Sequence, residues 1–198
     1  MKKLEIVIAS GNKNKIREYK ELFENYPITV TSIKDEGIEL DVEETGSTFI
    51  ENALIKARYI ASKTSKIVIA DDSGICVHAL NDFPGIYSSR FMEGQDYSLK
   101  NKAVNEMLKE HNDKSAHFTC AIAFVNKKEG IEKVFEGKCF GSINEAIEGP
   151  YGFGYDPIFV PKGYEKPFSL IKDEIKNDIS HRGVATKLLM KYLDEYLK

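Results

Sequence analysis

The chain has 198 residues, of which 42% are hydrophobic and 30% charged, and this composition excludes a disordered protein. Its length favours one large domain or a domain with two lobes. The formal net charge of −3 argues against the long basic surface that binding a nucleic-acid backbone requires, so we expect no nucleic-acid polymer as a partner. A polyanionic ligand must therefore meet a local cluster of positive charge.

The cysteines and the N-terminal residues indicate the compartment. Cys76, Cys120 and Cys139 are odd in number and lack the paired spacing of a zinc site or a disulfide framework, so we expect reduced and mostly buried thiols. The apolar run from Leu4 to Ala9 is too short for a signal peptide or a membrane span. We therefore expect a cytoplasmic protein that has no membrane partner.

The beginning of the chain predicts a strand, a tight turn and a helix. Leu4 to Ser10 is a β-branched, apolar run that stops at Gly11-Asn12, and apolar residues at helical spacing follow this turn. A second strand is predicted at Ile28 to Ile33, before an acidic loop from Lys34 to Thr45. Alternation of strand and helix is typical of an α/β protein.

The next segment predicts a capped helix and a buried strand. Thr48 and Glu51 have the spacing of a capping box, and an apolar stripe follows them. Ile67 to Ala70 is predicted to be a strand that ends at Asp71-Asp72-Ser73-Gly74. A structured loop is predicted for Asn81 to Gly94, because turn residues and scattered aromatics fill it.

The pattern changes in the second half of the chain. A helix is predicted near Ser98 to Glu110, and a polar turn then joins strand-like runs at His117 to Val125 and Ile131 to Phe140. A glycine-rich loop covers Gly149 to Pro157, and Arg182 to Leu197 predicts an amphipathic helix. We interpret the chain as one α/β unit built on a mixed β-sheet, with two lobes and a cleft.

Four segments carry residues suited to chemistry. One of them, Ser180 to Gly183, places two hydrogen-bond donors just before the last helix, with Lys176 a few residues upstream, and the alternative is plain solvated charge. Ser10 to Lys15 lies where a strand turns into a helix, so backbone N–H groups, the helix dipole and two lysines suit a triphosphate there. The alternative is a plain turn followed by solvated lysines, because the P-loop pattern is absent. The glycine-rich loop exposes Phe153 between two glycines, which suits the stacking of a base, although such an aromatic is more often packed under a turn.

The adjacent acids Asp71 and Asp72 form the strongest single motif. Two carboxylates at the end of a buried strand need partners or a chemical role, and a hard cation such as Mg²⁺ explains them best. Glu43 or Glu44 is a candidate further ligand. The alternative is that one of the two aspartates caps a turn through its side chain.

Six ordered blocks of the sequence resemble the inosine triphosphate pyrophosphatase family, also called the XTP/dITP diphosphatases. The blocks are Ser10 to Lys15, Glu43 to Gly46 with Phe49 to Ala53, Asp71 to Gly74, Pro84 to Ser88, Gly152 to Pro157, and Ser180 to Gly183. They span nearly the whole chain. The resemblance implies an elongated mixed β-sheet flanked by helices, two lobes with the active-site cleft between them, a homodimer, and Mg²⁺-dependent hydrolysis of ITP, dITP and XTP.

The resemblance also implies a role for each matching residue. Asp72 is the expected catalytic proton acceptor, and Glu44 and Asp72 are the expected Mg²⁺ ligands, with the number of metal ions and the role of Asp71 left open. The expected substrate-binding residues are Ser10, Gly11, Asn12, Lys13, Asn14, Lys15, Lys56, Ser73, Phe153, Gly154, Tyr155, Asp156, Lys176, His181 and Arg182. Among them, the segment before Asp72 serves the phosphates, and the segment from Phe153 onward serves the base.

Two other interpretations remain. The Maf-like pyrophosphatases resemble the expected fold and prefer other nucleotides, but the block from Ser180 to Gly183 favours the inosine triphosphate pyrophosphatases. A nucleotide-binding module without turnover would need the phosphate and base contacts but not Glu44, Asp71 and Asp72 together. Retention of these three acids favours an enzyme.

Overall fold

The structure of the protein is a computed structural model that describes residues 4–198. This part of the chain contains seven strands and five helices, so the predicted mixed α/β class is confirmed. The strands are β1 (Leu4–Ile8), β2 (Ile28–Ser32), β3 (Ile67–Val77), β4 (Phe83–Pro84), β5 (Ser115–Asn126), β6 (Ile131–Ile143) and β7 (Phe159–Pro161). The helices are α1 (Lys13–Leu22), α2 (Phe49–Ala61), α3 (Tyr97–Met107), α4 (Asp173–Ile179) and α5 (His181–Tyr196).

The strands form one mixed sheet in the order β2-β1-β3-β5-β6-β7, and β4 pairs with β3. Strand β1 is parallel to both β2 and β3, and its Ile8 lies opposite Ile69 of β3. Strands β4 and β7 are antiparallel to their partners β3 and β6. Because β1 and β3 run in register, the residues that follow Ile8 emerge beside Asp71. None of the helices within residues 4–198 is both long and apolar enough to cross a lipid bilayer.

Contacts between residues divide the chain into two compact units. Among the described residues, the first unit holds residues 4–72 together with residues 120–136 and 185–198. Strand β1 is buried on both faces there, since Ile6 packs in one apolar cluster and Val7 packs in another. The first cluster includes Phe124 of β5 and Leu189 of α5, so the C-terminal helix helps to cover this part of the sheet.

The second unit holds residues 73–119 and 137–184 and has its own aromatic core. The ring of Phe118 meets that of Phe159 edge to face at 4.7 Å, and Phe159 stacks on Phe168 at 5.4 Å. Ile75 and Val77 of β3 are buried in the same core. The single two-lobed domain with a cleft stays a prediction.

The prediction that a strand ends at Ala70 is wrong, because β3 continues to Val77 and carries Asp71 and Asp72 in its middle. The apolar residues after Gly74 explain the continuation, since they are buried and the end of the strand pairs with β4. Gly74 is required because a Cβ atom there would collide with the carbonyl oxygen of Gly85. The two acids are thus held by regular backbone and not by a loop.

The other boundaries differ from the predictions by a few residues. The predicted capping box is confirmed in part, because Oγ1 of Thr48 accepts from the N–H of Glu51 at 3.1 Å, while the Glu51 carboxylate accepts from the N–H of Ser47 at 2.7 Å. Helix α3 begins at Tyr97 because Asp96 caps it. The structured loop predicted for residues 81–94 contains β4 and a short 3₁₀ turn, and α4 was not predicted.

Candidate functional site

The predicted strand, turn and helix at Ser10 to Lys15 are confirmed, and side chains organise the turn. Asn12 caps α1, because its Oδ1 atom accepts from the N–H groups of Asn14 at 2.9 Å and Lys15 at 3.3 Å. Oγ of Ser10 accepts from the N–H of Asn12 at 3.1 Å. Two of the N–H groups expected to face a phosphate are therefore already bonded to Asn12. Residues Gly11 to Asn14 are exposed.

Lys15 reaches across to the first acid of the Asp71-Asp72 pair. Its Nζ atom lies 3.0 Å from Oδ2 of Asp71, whose side chain is fully buried. The contact follows from the register of β1 and β3, which brings the residues after Ile8 beside Asp71. Sγ of Cys120 also lies 3.8 Å from this oxygen. Asp71 therefore fixes the position of Lys15, which was predicted to bind phosphate.

Lys56 joins the two acids predicted to hold a metal ion. Its Nζ atom lies 2.9 Å from Oε1 of Glu44 and 3.6 Å from Oδ1 of Asp72. Asn52, one turn earlier on the buried face of α2, donates from Nδ2 to Oδ2 of Asp72 at 3.2 Å. Glu44, Asp72 and Lys56 thus form one contact network, and Asn52 is a member that the sequence did not single out.

Burial and charge have opposite effects on the groups of this cluster. Burial raises the pKa of Asp72 above its ordinary value, although the charges of Lys56 and Lys15 work against this rise. Burial would lower the pKa of Lys56, but the charges of Asp72, Glu44 and Asp71 raise it overall. Lys56 is therefore a cation at neutral pH, and Asp72 is a stronger base than an exposed aspartate.

The cluster has a donor set that fits a hard divalent cation. Two ammonium groups face three carboxylates, those of Glu44, Asp71 and Asp72, so the ionised cluster carries an excess negative charge. Oxygen ligands are those that Mg²⁺ prefers in proteins. Within residues 4–198, however, these acids do not belong to a group of three ligand atoms that lie within 4.8 Å of one another. Glu44 and Asp72 fit Mg²⁺ by chemistry, and Lys56 stands between them.

The glycine-rich loop of the second unit is anchored by a buried ion pair. Nζ of Lys176 lies 2.8 Å from Oδ2 of Asp156, and both side chains are almost completely buried. The same carboxylate accepts from the N–H of Phe153 at 2.6 Å. Gly152 and Gly154 have positive φ angles of 72° and 70°, which only glycine adopts freely. Asp156 therefore shapes the loop, where the sequence suggested only an acceptor beside a base.

Phe153 and Tyr155 have different surroundings. Phe153 is half-buried, and Nζ of Lys176 lies 4.8 Å from the centre of its ring. Tyr155 is buried, and its hydroxyl donates to the carbonyl oxygen of Ser88 at 2.8 Å. Asn101 donates to the carbonyl oxygen of Gly154 at 3.1 Å. These two hydrogen bonds attach the loop to Ser88 and Asn101, which the sequence did not predict as site residues.

Helix α5 begins with His181 and Arg182, and both side chains are buried. Nη2 of Arg182 donates to Oγ of Ser73 at 3.0 Å, and Arg182 is only 2% exposed. The imidazole of His181 stacks on Phe118 at 4.6 Å between ring centres. Gly183 allows the close approach of α4, because a Cβ atom there would collide with the carbonyl oxygen of Asn177. The structure thus brings Ser73 and Arg182 into contact, although they are 109 residues apart in sequence.

A cavity of about 430 Å³ borders the glycine-rich loop. Phe153 and Gly154 line it, together with Tyr97 and Asn101 of α3. The other predicted base-binding residues are buried and do not line this cavity; they are Tyr155, Asp156, Lys176, His181 and Arg182. The predicted base-binding residues therefore fall into two groups, one that borders the cavity and one that is buried.

The cysteines behave as expected from the sequence. Cys76, Cys120 and Cys139 are free and buried. Burial, with a smaller contribution from the charge of Asp156, raises the pKa of the Cys139 thiol to about 11. This thiol is thus protonated at neutral pH.

Comparison with known proteins places the chain among a group of similar enzymes and structures. The sequence profile of the Ham1 family matches residues 6–192. A dITP/XTP pyrophosphatase of Leptospira interrogans is 44% identical over 195 residues, which cover 96% of this chain and 98% of that protein. A dITP/XTP pyrophosphatase of Treponema denticola is 45% identical with the same coverage.

Solved structures agree with the sequence comparisons. The Staphylococcus aureus Ham1 protein is 40% identical and has a TM-score of 0.86, with 97% of this chain and 99% of that chain covered. A HAM1 protein from Coxiella burnetii is 38% identical and has a TM-score of 0.88 with the same coverage. The resemblance inferred from six sequence blocks is thereby confirmed, and this chain belongs to the Ham1 family.

Proposed function

We propose that this chain hydrolyses the triphosphates of deaminated purines, ITP, dITP and XTP, to the nucleoside monophosphate and pyrophosphate. The names of the curated relatives from Leptospira interrogans and Treponema denticola support this reaction, and these relatives match nearly the full chain. The observation that carries the proposal is the buried network in which Asp72 contacts Lys56 and Asn52. It combines a base with positive charge, as hydrolysis of a phosphoanhydride requires.

Asp72 is the proposed proton acceptor. The oxygen of a water molecule forms a bond to the α-phosphorus, the bond from that phosphorus to the bridging oxygen of pyrophosphate breaks, and the proton of the water passes to the Asp72 carboxylate. Burial raises the pKa of Asp72, which makes it a better base for this transfer. Asn52 holds the carboxylate in one orientation through its 3.2 Å hydrogen bond.

Binding of the substrate's phosphates is assigned to residues of the first unit. Lys15 contacts buried Asp71 and Lys56 contacts buried Asp72, so both ammonium groups have a fixed partner before substrate arrives. Lys13 and the exposed residues of the turn at Gly11 to Asn14 supply further donors. Glu44 and Asp72 would hold Mg²⁺, which when bound neutralises negative charge on the phosphates.

Binding of the substrate's purine base is assigned to residues of the second unit. This unit begins at Ser73, the residue that follows Asp72 in the chain. Phe153 would stack on the base, with Gly154, Tyr155 and Asp156 shaping its loop. Lys176, His181 and Arg182 carry hydrogen-bond donors, and hypoxanthine and xanthine present an acceptor oxygen at position 6 where adenine presents an amine. A buried donor set therefore favours the keto purines.

Two rival functions are less well supported. The match to the Ham1 family favours this reaction over that of the Maf-like pyrophosphatases. A binding module without turnover does not need a buried carboxylate whose pKa is raised beside two lysines. We also propose, from the resemblance, that the enzyme is a cytoplasmic homodimer, with each chain carrying its own copy of the residues above.

The first test of the base assignment is the variant Arg182→Met, which keeps the bulk of the side chain and removes its donors. We expect kcat/KM for ITP to fall at least about tenfold, equivalent to ~1.4 kcal/mol, while the low rate with ATP changes much less. The measurement is pyrophosphate release across a panel of ITP, XTP, GTP and ATP. Lys187→Met is the control, because Lys187 is exposed on the same helix. Equal losses with ITP and ATP would assign Arg182 to folding or to phosphate binding.

A second test concerns the metal ligands, and it compares neighbouring acids of the same loop. Glu44→Gln should raise the Mg²⁺ concentration needed for half-maximal activity about tenfold, ~1.4 kcal/mol, because one charged ligand is lost. Glu43→Gln is the matched control, since Glu43 is exposed and Glu44 contacts Lys56. The titration starts from enzyme freed of metal by EDTA. An identical Mg²⁺ dependence in both variants would remove Glu44 from the ligand set.

A further inference from the structure

Three side chains of the second unit lie close together and have no part in the proposed reaction. One ligand atom each from His78, Asp82 and His117 lies within 4.8 Å of the others. This is the sole group of three or more His, Cys, Asp or Glu residues in the described part of the chain, residues 4–198, that meets at this distance. None of the three belongs to the predicted active site. Their chemistry therefore needs a separate explanation.

The chain bends sharply to bring these residues together. His78 follows directly on β3 and begins a 3₁₀ turn. Asn81 and Asp82 then adopt positive φ angles of 53° and 61°, a conformation that non-glycine residues rarely take twice in succession. The N–H of Asp82 donates to the carbonyl oxygen of Val77 at 3.0 Å, which closes the bend. Asp82 is thereby held near His78, while His117 is supplied by β5.

The two imidazoles meet through ring nitrogens. Nε2 of His78 lies 2.8 Å from Nδ1 of His117, and the ring centres are 5.1 Å apart. Two nitrogen lone pairs repel each other at this distance, so in the protein without metal one neutral ring carries a hydrogen there and donates it to the nitrogen of the other ring. Loss of that hydrogen leaves two lone pairs on neighbouring nitrogens, which one metal cation can accept together once the rings move slightly apart.

Neighbouring groups prepare His78 to act as a ligand. Its other nitrogen, Nδ1, lies 2.8 Å from Oγ of Ser115, which can accept its proton and leave Nε2 with a lone pair. Ser115 is itself fixed, because its N–H donates to Oδ1 of Asp113 at 2.8 Å. A hydrogen bond of this kind on the outer nitrogen is the usual support of a metal-bound histidine.

We propose that His78, Asp82 and His117 form a binding site for Zn²⁺, distinct from the Mg²⁺ ligands Glu44 and Asp72. Two imidazoles and one carboxylate suit zinc and not magnesium, which prefers oxygen ligands. Three protein ligands leave the fourth tetrahedral position for water. His78 and Ser115 lie in the wall of a cavity of about 450 Å³, which gives water access to that side. The ion clamps the bend at residues 78–82 to strand β5.

The proposal is tested by calorimetric titration of the EDTA-treated full-length protein with Zn²⁺. We expect one Zn²⁺ per chain in this site, and a loss of affinity of at least about tenfold in His78→Gln and in Asp82→Asn. Both of these residues are exposed, so neither change opens a cavity in the core. His111→Gln is the matched control, because His111 is exposed in the same unit and lies outside the group. Equal affinities in the wild type and His78→Gln, or an equal loss in His111→Gln, would overturn the proposal.

A second measurement separates this site from the acids of the active site. Zn²⁺ titration of Asp72→Asn should still show the same high-affinity event, and Co²⁺ in place of Zn²⁺ should give the visible absorption of a four-coordinate ion. In NMR spectra the ring signals of His78 and His117 should shift with Zn²⁺, while those of His111 stay in place. Loss of the binding event in Asp72→Asn, or unchanged signals for His78 and His117, would assign the zinc to another location.

Discussion

Asp72→Asn should lower kcat for ITP by at least about 100-fold, ~2.7 kcal/mol, while nucleotide binding stays measurable. The amide keeps the shape of the side chain but accepts no proton and carries no charge. Lys56, which contacts Asp72 in the wild type, keeps its contact with Glu44 and remains available to hold the phosphates. The measurement combines steady-state kinetics with equilibrium binding of ITP.

Stability provides an internal control for this variant. Burial raises the pKa of Asp72, so folding favours the protonated form, and its contribution to stability is lost as the pH rises through the folded-state pKa. The neutral amide imitates the favoured form, so Asp72→Asn should unfold at neutral pH no more easily than the wild type. Asp41→Asn changes an exposed acid in the loop that also contains Glu44, and it should change neither kcat nor stability. A variant that keeps more than about a tenth of wild-type kcat would show that Asp72 is not the central base.

Lys176→Met should destabilise the protein by about 3–5 kcal/mol, the usual cost of breaking a buried ion pair by removing one partner. The Asp156 carboxylate would remain buried without the ammonium group that lies 2.8 Å from it. The ring of Phe153 would also lose the cation that lies 4.8 Å from its centre. The free energy of unfolding from denaturant titration measures this cost.

The paired variant separates the ion pair from simple packing. Lys176→Met combined with Asp156→Asn should be less destabilised than the sum of the two single changes, since no buried charge then lacks its partner. Lys166→Met is the control, because Lys166 is exposed in the same unit. If the losses in free energy of unfolding of the two single variants simply add, the ion pair does not stabilise the glycine-rich loop. The same conclusion would follow if Lys166→Met lowered the free energy of unfolding as much as Lys176→Met.

Local signals in the sequence were enough to predict most elements. The turn at Gly11-Asn12 and the capping residue Thr48 both mark where helices begin, and the structure confirms both. These features depend on hydrogen bonds between residues only two or three positions apart, such as that from Asn14 to Asn12. Both partners of such a hydrogen bond lie in the same short segment of sequence, and the local pattern therefore predicts the structure.

The contacts that position the site could not be predicted in this way. Arg182 and Ser73 are 109 residues apart in sequence, and only the folded chain shows that they are bonded. The extension of β3 through Asp71 and Asp72 was missed for a related reason. Adjacent acids normally end a strand. Here Lys15 and Lys56, which belong to two different helices, supply the positive charge that stabilises the two acids within β3. Their stabilising partners lie far away in sequence.

Hydrolysis of ITP in ¹⁸O-labelled water would show whether water attacks the α-phosphorus. We expect each turnover to yield one IMP carrying a single ¹⁸O atom and one unlabelled pyrophosphate, because the new bond forms at the phosphorus that stays with the nucleoside. Mass spectrometry of both products after partial hydrolysis gives the answer. Label in the pyrophosphate, or release of IDP with labelled orthophosphate, would instead show that water attacks a different phosphorus atom.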